Sequence, residues 1–227
     1  MSKRTVEDAF DEAAPDYDSW IRRALPTYEE LFRVAIEAVP HARDAPIRVA
    51  DLGAGSGLYS ERVLQAFSRA SVVLYDSSAE MLERAHKRFS SLQRDVTFVE
   101  ERMEAFSEPQ MFDLVVSSLA IHHLEHAEKR MLFRQVFSAL RPEGAFVNVD
   151  QVRGEGRFRE LYWSTWLSRV RASGAPESQI QSSIKRRREF DRDASLGEQL
   201  AWLADAGFEV DCIYKHYFMA IFMGVKP

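Results

Sequence analysis

The chain has 227 residues, of which 46% are hydrophobic and 29% charged, as expected for one large globular domain. A single cysteine, Cys212, excludes an internal disulfide framework and a cysteine-cluster metal site, and is typical of a reducing compartment. The net charge of −5 argues against general nucleic-acid binding, which depends on a basic surface. There is neither a secretory signal pattern nor an uncharged run of ~20 apolar residues, so we expect a cytoplasmic protein with no membrane partner.

Short apolar runs alternate with longer amphipathic segments between residues 47 and 149. Each run is rich in Val, Leu or Phe, which is typical of strands buried on both faces of a parallel sheet. The predicted strands are Ile47–Leu52, Ser71–Tyr75, Val96–Val99, Phe112–Ser117 and Ala145–Val149.

The segments between these strands have helical spacing. Residues Tyr59–Arg69, Ala79–Ser90 and Glu128–Leu140 each place apolar side chains on one face. Alternation of strand and helix predicts a doubly wound, mostly parallel sheet with right-handed crossovers.

The last segment of the chain has a different pattern. A helix over Leu196–Ala206 is ended by Gly207, and the apolar runs Phe208–Tyr214 and Tyr217–Val225 follow with only a short polar break. This arrangement predicts a closing antiparallel hairpin. The complete prediction is an α/β, Rossmann-like sheet of seven strands with that hairpin at one edge.

We interpret residues 1–227 as a single domain in four parts. The cofactor-binding core spans residues 45–150, between an N-terminal helical cap and a helical insertion that together form a lid. The cap spans residues 1–44, the insertion residues 151–195, and the closing helix and hairpin residues 196–227.

A glycine-rich loop is the strongest local signal. Asp51-Leu52-Gly53-Ala54-Gly55-Ser56-Gly57 follows the first predicted strand and opens the first helix, as a nucleotide-binding turn requires. The spacing is G-x-G-x-G rather than the dinucleotide G-x-G-x-x-G. A carboxylate at Asp51 would repel a pyrophosphate but suits a ligand with an ammonium group, and S-adenosylmethionine has that group and no phosphate.

Asp76 supports the same ligand. It ends the second predicted strand, nineteen residues after Gly57 (76 − 57), where a carboxylate can accept both ribose hydroxyls of an adenosine.

With these two features the chain resembles the class I S-adenosylmethionine-dependent methyltransferases. The stretches that carry the resemblance are Asp51–Gly57, Asp76–Leu82, Phe112–Ser117 and Leu140–Phe146. The resemblance implies S-adenosyl-L-methionine as cofactor, bound by Asp51, Gly53, Gly55, Gly57, Asp76, Ser77 and Met81. Arg102 and Met103 are also expected at the cofactor. Arg102 stands where many members carry an aspartate for the adenine amino group, so the Met103 amide or Glu101 is the alternative adenine contact.

A narrower resemblance, to the bacterial enzymes that carboxymethylate a tRNA wobble uridine, covers nearly the whole chain. It rests on Phe10-Asp11-Glu12, Leu25–Tyr28, Ile121–Leu124 and Asn148–Val152. By that similarity Tyr28 and an arginine of the run Arg186–Arg188, taken as Arg187, approach the amino-acid end of the cofactor. Ser118 would lie beside the cofactor. The other interpretation of the basic run is a solvated helix end.

His122 and His123 follow the fourth predicted strand, at the edge where open α/β sheets bind ligands. Histidine titrates near neutral pH, so either could act as the catalytic base. The alternative is that they cap or pack against the next helix. Because neighbouring side chains are expected to diverge and no partner spacing is visible, the sequence predicts no metal.

The sequence favours transfer of a methyl group to a small, partly apolar acceptor molecule. Two alternatives use the same cofactor: carboxymethyl transfer to tRNA, and an intramolecular reaction that releases methylthioadenosine. A third is a non-catalytic nucleoside-binding subunit. No nucleic acid other than tRNA is expected as a partner, and a homodimer is left open.

Overall fold

The structure is a computed structural model that describes residues 4–25 and 27–227. Its strands are β1 Arg48–Leu52, β2 Ser71–Asp76, β3 Val96–Glu100, β4 Phe112–Ser118, β5 Leu140–Gln151, β6 Glu209–His216 and β7 Met219–Val225. Its α-helices are α1 Val6–Ala13, α2 Tyr17–Ala24, α3 Tyr28–Glu37, α4 Leu58–Ala66, α5 Ala79–Phe89, α6 His126–Ala139, α7 Phe158–Ala172, α8 Glu177–Phe190 and α9 Leu196–Ala206.

The strands form one sheet in the order β3-β2-β1-β4-β5-β7-β6. The first five strands are parallel, whereas β7 is antiparallel to both β5 and β6. The predicted Rossmann-like sheet of seven strands with a closing hairpin is therefore confirmed. The strand order reverses between β1 and β4, and ligands of open α/β sheets bind at such a point.

Alternate side chains of the parallel strands enter two separate cores. Val49 of β1 packs in the core with α3, α4 and α5, whereas Ala50 and Leu52 pack in the core with α6 and α9. This alternation explains why the strands are apolar throughout rather than at every second position.

Strand β5 is longer than the sequence predicts, because it begins at Leu140 and not at Ala145. Phe112 pairs with Leu140 but Leu114 pairs with Ala145, so the residues between form a bulge. Glu143 has a φ of +63° in that bulge, and its amide donates to the carbonyl of Lys226. Because the bulge contains polar residues, the hydropathy pattern does not indicate where the strand begins.

The cap helix α2 packs on the inserted helices α7 and α8. Trp20 and Ala24 of α2 contact a third cluster of buried side chains, which includes Trp166, Val170, Ile180 and Ile184. The indole N–H of Trp166 donates to the carbonyl of Ala24 at 3.2 Å. Among the residues described, no helix is both long and apolar enough to cross a membrane.

Candidate functional site

The glycine loop at the carboxyl end of β1 has a left-handed backbone. Gly53, Gly55 and Gly57 have φ angles of +66°, +55° and +81°, which glycine adopts without strain. A side chain at residue 53 would collide with the Cβ of Ala120. The amide of Gly53 donates to the carbonyl of Tyr75 at 2.8 Å, which ties the loop to β2.

Asp76, at the end of β2, fixes the other side of the same turn. Its Oδ2 accepts from the amide of Gly55 at 2.7 Å, and its Oδ1 accepts from the amide of Ser78 at 2.9 Å. Burial raises the pKa of this carboxyl group. Each oxygen retains a lone pair for a ligand hydroxyl.

A cavity lies over this loop, which we call the cofactor cavity. Its walls include Leu119, Ala120 and Leu124 after β4, together with Glu104 and Glu128. Seven of the residues proposed from the sequence for cofactor binding line it: Gly53, Gly55, Asp76, Ser77, Met81, Arg102 and Met103.

The N-terminal cap closes the cofactor cavity from above with Val6, Glu7, Phe10 and Tyr17. Three polar contacts hold the cap in place. Asp11 accepts a hydrogen bond from Ser78 at 2.5 Å, Asp18 accepts from Ser56 at 2.5 Å, and Arg102 forms an ion pair with Glu7 at 3.0 Å. Arg102 therefore links the cap to the segment after β3.

Asp51 does not line the cofactor cavity, contrary to the expectation that it faces the ligand. Its side chain is completely buried, where Oδ2 accepts from Ser60 at 2.6 Å and Oδ1 has no hydrogen-bond partner in the described part of the chain. Burial raises the pKa of Asp51 to about 7. Its carboxyl group supports the loop from inside the core.

Four more of the expected cofactor residues lie outside the cofactor cavity. Gly57 is the N-cap residue that precedes α4 and faces Phe89, and Ser118 is the last residue of β4. Tyr28 is buried beneath the guanidinium of Arg22, at 4.7 Å from its ring centroid. Arg187 pairs with Asp193 at 2.8 Å. For these positions the local pattern did not indicate which way the side chain points.

A second cavity adjoins the first, and we call it the acceptor cavity. The two cavities share Phe10, Tyr17, Leu119 and His123 as wall residues. Beyond these, the acceptor cavity is lined by apolar side chains, mostly of the cap, and by polar side chains. Its polar lining is His122, Gln151, Ser183, Arg186, Arg187 and Asp191.

The two histidines point the same way, and the expectation that they diverge is wrong. Residues Ile121–His123 form a 3₁₀ turn that brings the two rings to a centroid separation of 4.0 Å. Nδ1 of His122 is 2.6 Å from Oδ1 of Asp150, and the His122 amide donates to Oδ2 of the same carboxylate at 3.0 Å. His123 lies 3.3 Å from Asp191.

The surroundings of the two histidines shift their pKa values differently. Burial lowers the pKa of His122, but the carboxylates of Asp150 and Asp191 outweigh it and raise that pKa above the ordinary value. Burial and the charge of His122 lower the pKa of His123. The two pKa values are therefore shifted in opposite directions from that of an ordinary histidine.

Arg186 is the cation of the acceptor cavity that has no carboxylate partner among residues 4–25 and 27–227. Its guanidinium lies 5.4 Å from the centroid of the Phe10 ring, at the boundary with the cofactor cavity. Burial lowers its pKa. Arg188, two residues on, is exposed.

Sequence reasoning missed Asp150, Gln151 and Asp191 as site residues. The first two end β5, and the sheet-edge rule that identified His122 would also have found them if the strand had not been predicted to end at Val149. Asp191 follows α8, and only tertiary packing brings it to the histidines.

Comparison with known proteins agrees with this geometry. Residues 49–144 match the family model described as a methyltransferase domain. The chain is 27% identical over 172 residues to a malonyl-[acyl-carrier protein] O-methyltransferase of Halalkalibacterium halodurans, covering 74% of this chain and 62% of the relative. It is 26% identical over 213 residues to the carboxy-S-adenosyl-L-methionine synthase of Aeromonas hydrophila, covering 90% and 84%.

Solved structures share the fold. An O-methyltransferase family protein from Burkholderia thailandensis superposes with a TM-score of 0.68 at 17% identity, covering 97% of this chain and 59% of that one. The malonyl-carrier-protein relatives are longer proteins, of which the chain spans between 47% and 62%.

Residues 49–144 thus resemble a methyltransferase domain, the kind of domain that uses S-adenosyl-L-methionine. The tRNA wobble-uridine branch stays a prediction.

The described residues fit this cofactor. The cofactor cavity contains the carboxylates of Glu7, Asp76, Glu104 and Glu128 against the single guanidinium of Arg102 within the described lining. A negative lining suits a sulfonium and an ammonium group and disfavours a pyrophosphate.

Proposed function

We propose that the protein transfers the methyl group of S-adenosyl-L-methionine to a small acceptor that carries a carboxylate. The observation that carries this proposal is the position of Arg186 in the acceptor cavity, without an ion-pair partner in the described chain, at the wall shared with the cofactor cavity. A guanidinium in a partly buried site binds a carboxylate through two parallel hydrogen bonds.

His122 and His123 line the same cavity as Arg186, so their rings can contact an acceptor bound there. A carboxylate nucleophile arrives ionised, so it requires no base. His123 lies at the wall shared by the two cavities, where it can orient the acceptor.

When bound, the cofactor supplies an electrophilic methyl group on its sulfonium. The chain contributes alignment and exclusion of water. Phe10, Tyr17 and Leu119 line both cavities, so the reacting groups meet between apolar walls beneath the cap. Such positioning accounts for several kcal/mol of a barrier in displacement reactions.

The names of two relatives agree with a carboxylate. One acts on a malonyl group carried by a protein and the other makes a carboxylated form of S-adenosylmethionine. The second relative matches over 90% of this chain, which favours carboxy-S-adenosylmethionine synthesis as the second candidate function. In that case Arg186 would meet a carboxylate on the cofactor itself.

The test is product analysis by mass spectrometry. The protein is incubated with S-adenosyl-L-methionine and a panel of mono- and dicarboxylic acids, with their amides as controls. Formation of S-adenosylhomocysteine with the acids and not with the amides supports the proposal. Carboxy-S-adenosylmethionine as the product would support the second candidate, and turnover of the amides alone would refute both.

Arg186→Met should raise the KM for the acid at least roughly 10- to 100-fold, because each of the charge-assisted hydrogen bonds that it removes is worth about 1.5–3 kcal/mol. The affinity for S-adenosyl-L-methionine should not change. Arg188→Met, at an exposed position of the same helix, is the matched control and should leave both constants unaltered. An unchanged KM in Arg186→Met would contradict the assignment.

A further inference from the structure

Three side chains of metal-ligating type converge at the acceptor cavity: His122, His123 and Asp191. Their ligand atoms all lie within 4.8 Å of one another. Oδ1 of Asp191 is 3.3 Å from Nδ1 of His123 and 3.8 Å from Nε2 of His122. Two ligands bound tetrahedrally at ~2.1 Å from one metal are about 3.4 Å apart, so these two separations are near those between ligands of one metal ion.

The other polar side-chain atoms of His122 and Asp191 already contact neighbouring groups. Asp150 binds Nδ1 of His122 at 2.6 Å, which leaves Nε2 directed at Asp191. Gln151 donates to Oδ2 of Asp191, and Arg187 lies 3.8 Å from the same oxygen, which leaves Oδ1 directed at the histidines. A carboxylate behind a histidine and a donor behind a carboxylate are the usual supports of metal ligands.

His123 gives an independent reason to expect a ligand. Both of its ring nitrogens are buried: Nε2 has no hydrogen-bond partner among the described residues, and Nδ1 is 3.3 Å from Oδ1 of Asp191 without the geometry of a hydrogen bond. A buried polar atom without a partner is costly in free energy, and native proteins seldom retain one without a functional cause. A metal ion between His123 and Asp191 would satisfy one of the two nitrogens.

The two chain segments that carry the ligands are joined directly. The amide of Arg192 donates to the carbonyl of His122 at 2.8 Å. The buried ammonium of Lys129 donates to the carbonyls of Leu124 and Arg192. The ligands are therefore held together by the fold, before any ion binds.

We propose that His122, His123 and Asp191 bind one divalent transition-metal ion of the Zn²⁺ type. Two imidazoles favour such ions over Mg²⁺ or Ca²⁺, and the charges of Asp150 and Asp191 balance a divalent cation. Three protein ligands leave positions open toward the acceptor cavity. The proposal that the ion binds depends only on the geometry of these three residues. A role of the ion in holding the acceptor's carboxylate depends on the function proposed above.

The test measures metal binding directly. Metal-stripped full-length protein is titrated with Zn²⁺ against a chromophoric chelator, and with Co²⁺ by visible absorption. We expect one equivalent to bind, with d–d bands of a four- or five-coordinate ion. His123→Gln and Asp191→Asn should each weaken binding at least 100-fold, and Asp150→Asn about 10-fold. His86→Gln, at an exposed histidine, is the control and should bind as the wild type does.

The affinity of each variant for S-adenosyl-L-methionine establishes that it is folded. A variant that fails this check is replaced by Gln151→Ala, which leaves all three ligands in place and should weaken Zn²⁺ binding about 10-fold. The proposal is overturned if the wild type binds no Zn²⁺, or binds it no more tightly than folded Asp191→Asn. Absence of metal binding together with unimpaired methyl transfer would remove this site and leave the proposed function standing.

Discussion

Replacing Asp51 by Asn should stabilise the cofactor-free protein more strongly as the pH rises. The carboxyl group is completely buried, one oxygen accepts from Ser60, and the other has no hydrogen-bond partner in the described residues. Burial raises its pKa to about 7, whereas an aspartate in the unfolded chain has a pKa of about 3.9. The amide of Asn has the same shape, can still accept from Ser60, and carries no charge at any pH.

The sign of the effect follows from proton binding. Between about pH 4 and pH 7 the folded state retains a proton that the unfolded state releases, so the free energy of unfolding falls as the pH rises through this window. A difference of about 3 pKa units corresponds to about 4 kcal/mol above pH 7. Part of this is already lost at pH 5, so the advantage of Asp51→Asn should grow by about 2–3 kcal/mol between pH 5 and pH 8.

The assay is urea unfolding of both proteins at pH 5, 6, 7 and 8, followed by circular dichroism. Asp205→Asn, at an exposed position of α9, controls for the loss of one carboxylate. If the difference between Asp51→Asn and wild type is constant over this range, or shrinks, the reasoning from burial of Asp51 is wrong.

Two further predictions concern the loop and the site segments. Gly53→Ala should weaken binding of S-adenosyl-L-methionine more than 10-fold in calorimetry, because an alanine at φ +66° is strained by about 1–2 kcal/mol and its Cβ collides with Ala120. Gly156→Ala has a similar φ of +52° but open space around it, so equal weakening there would contradict the steric argument. Lys129→Met should lower the free energy of unfolding by about 1–3 kcal/mol, because it removes the donor to the carbonyl of Leu124. A more stable Lys129→Met protein in urea would mean that burying the ammonium costs more than its hydrogen bonds contribute.

The sequence by itself determined the sheet and the cofactor turn. Strands buried on both faces are apolar throughout, and helices repeat their apolar residues about every 3.6 positions. A G-x-G-x-G turn directly after a strand is typical of nucleoside binding. Each of these patterns lies within a short segment, so it can be recognised without knowledge of the fold. The carboxyl-edge rule then placed Gly53, Asp76 and Met103 around one cavity without knowledge of any long-range contact. The beginning of β5 was not predicted, because the bulge near that end of the strand contains polar residues.

Only the tertiary structure decided which polar side chains share the acceptor cavity. Consecutive residues of a helix differ by about 100° in direction, and the run Arg186–Arg188 contains no apolar residue that fixes its rotation. Packing of α8 against α2 and α7 therefore leaves Arg186 without an ion-pair partner in the described chain, whereas Arg187 pairs with Asp193. Asp191 meets His123 across 68 positions of sequence (191 − 123), a contact that depends on the packing of the whole chain and has no signature in any short segment.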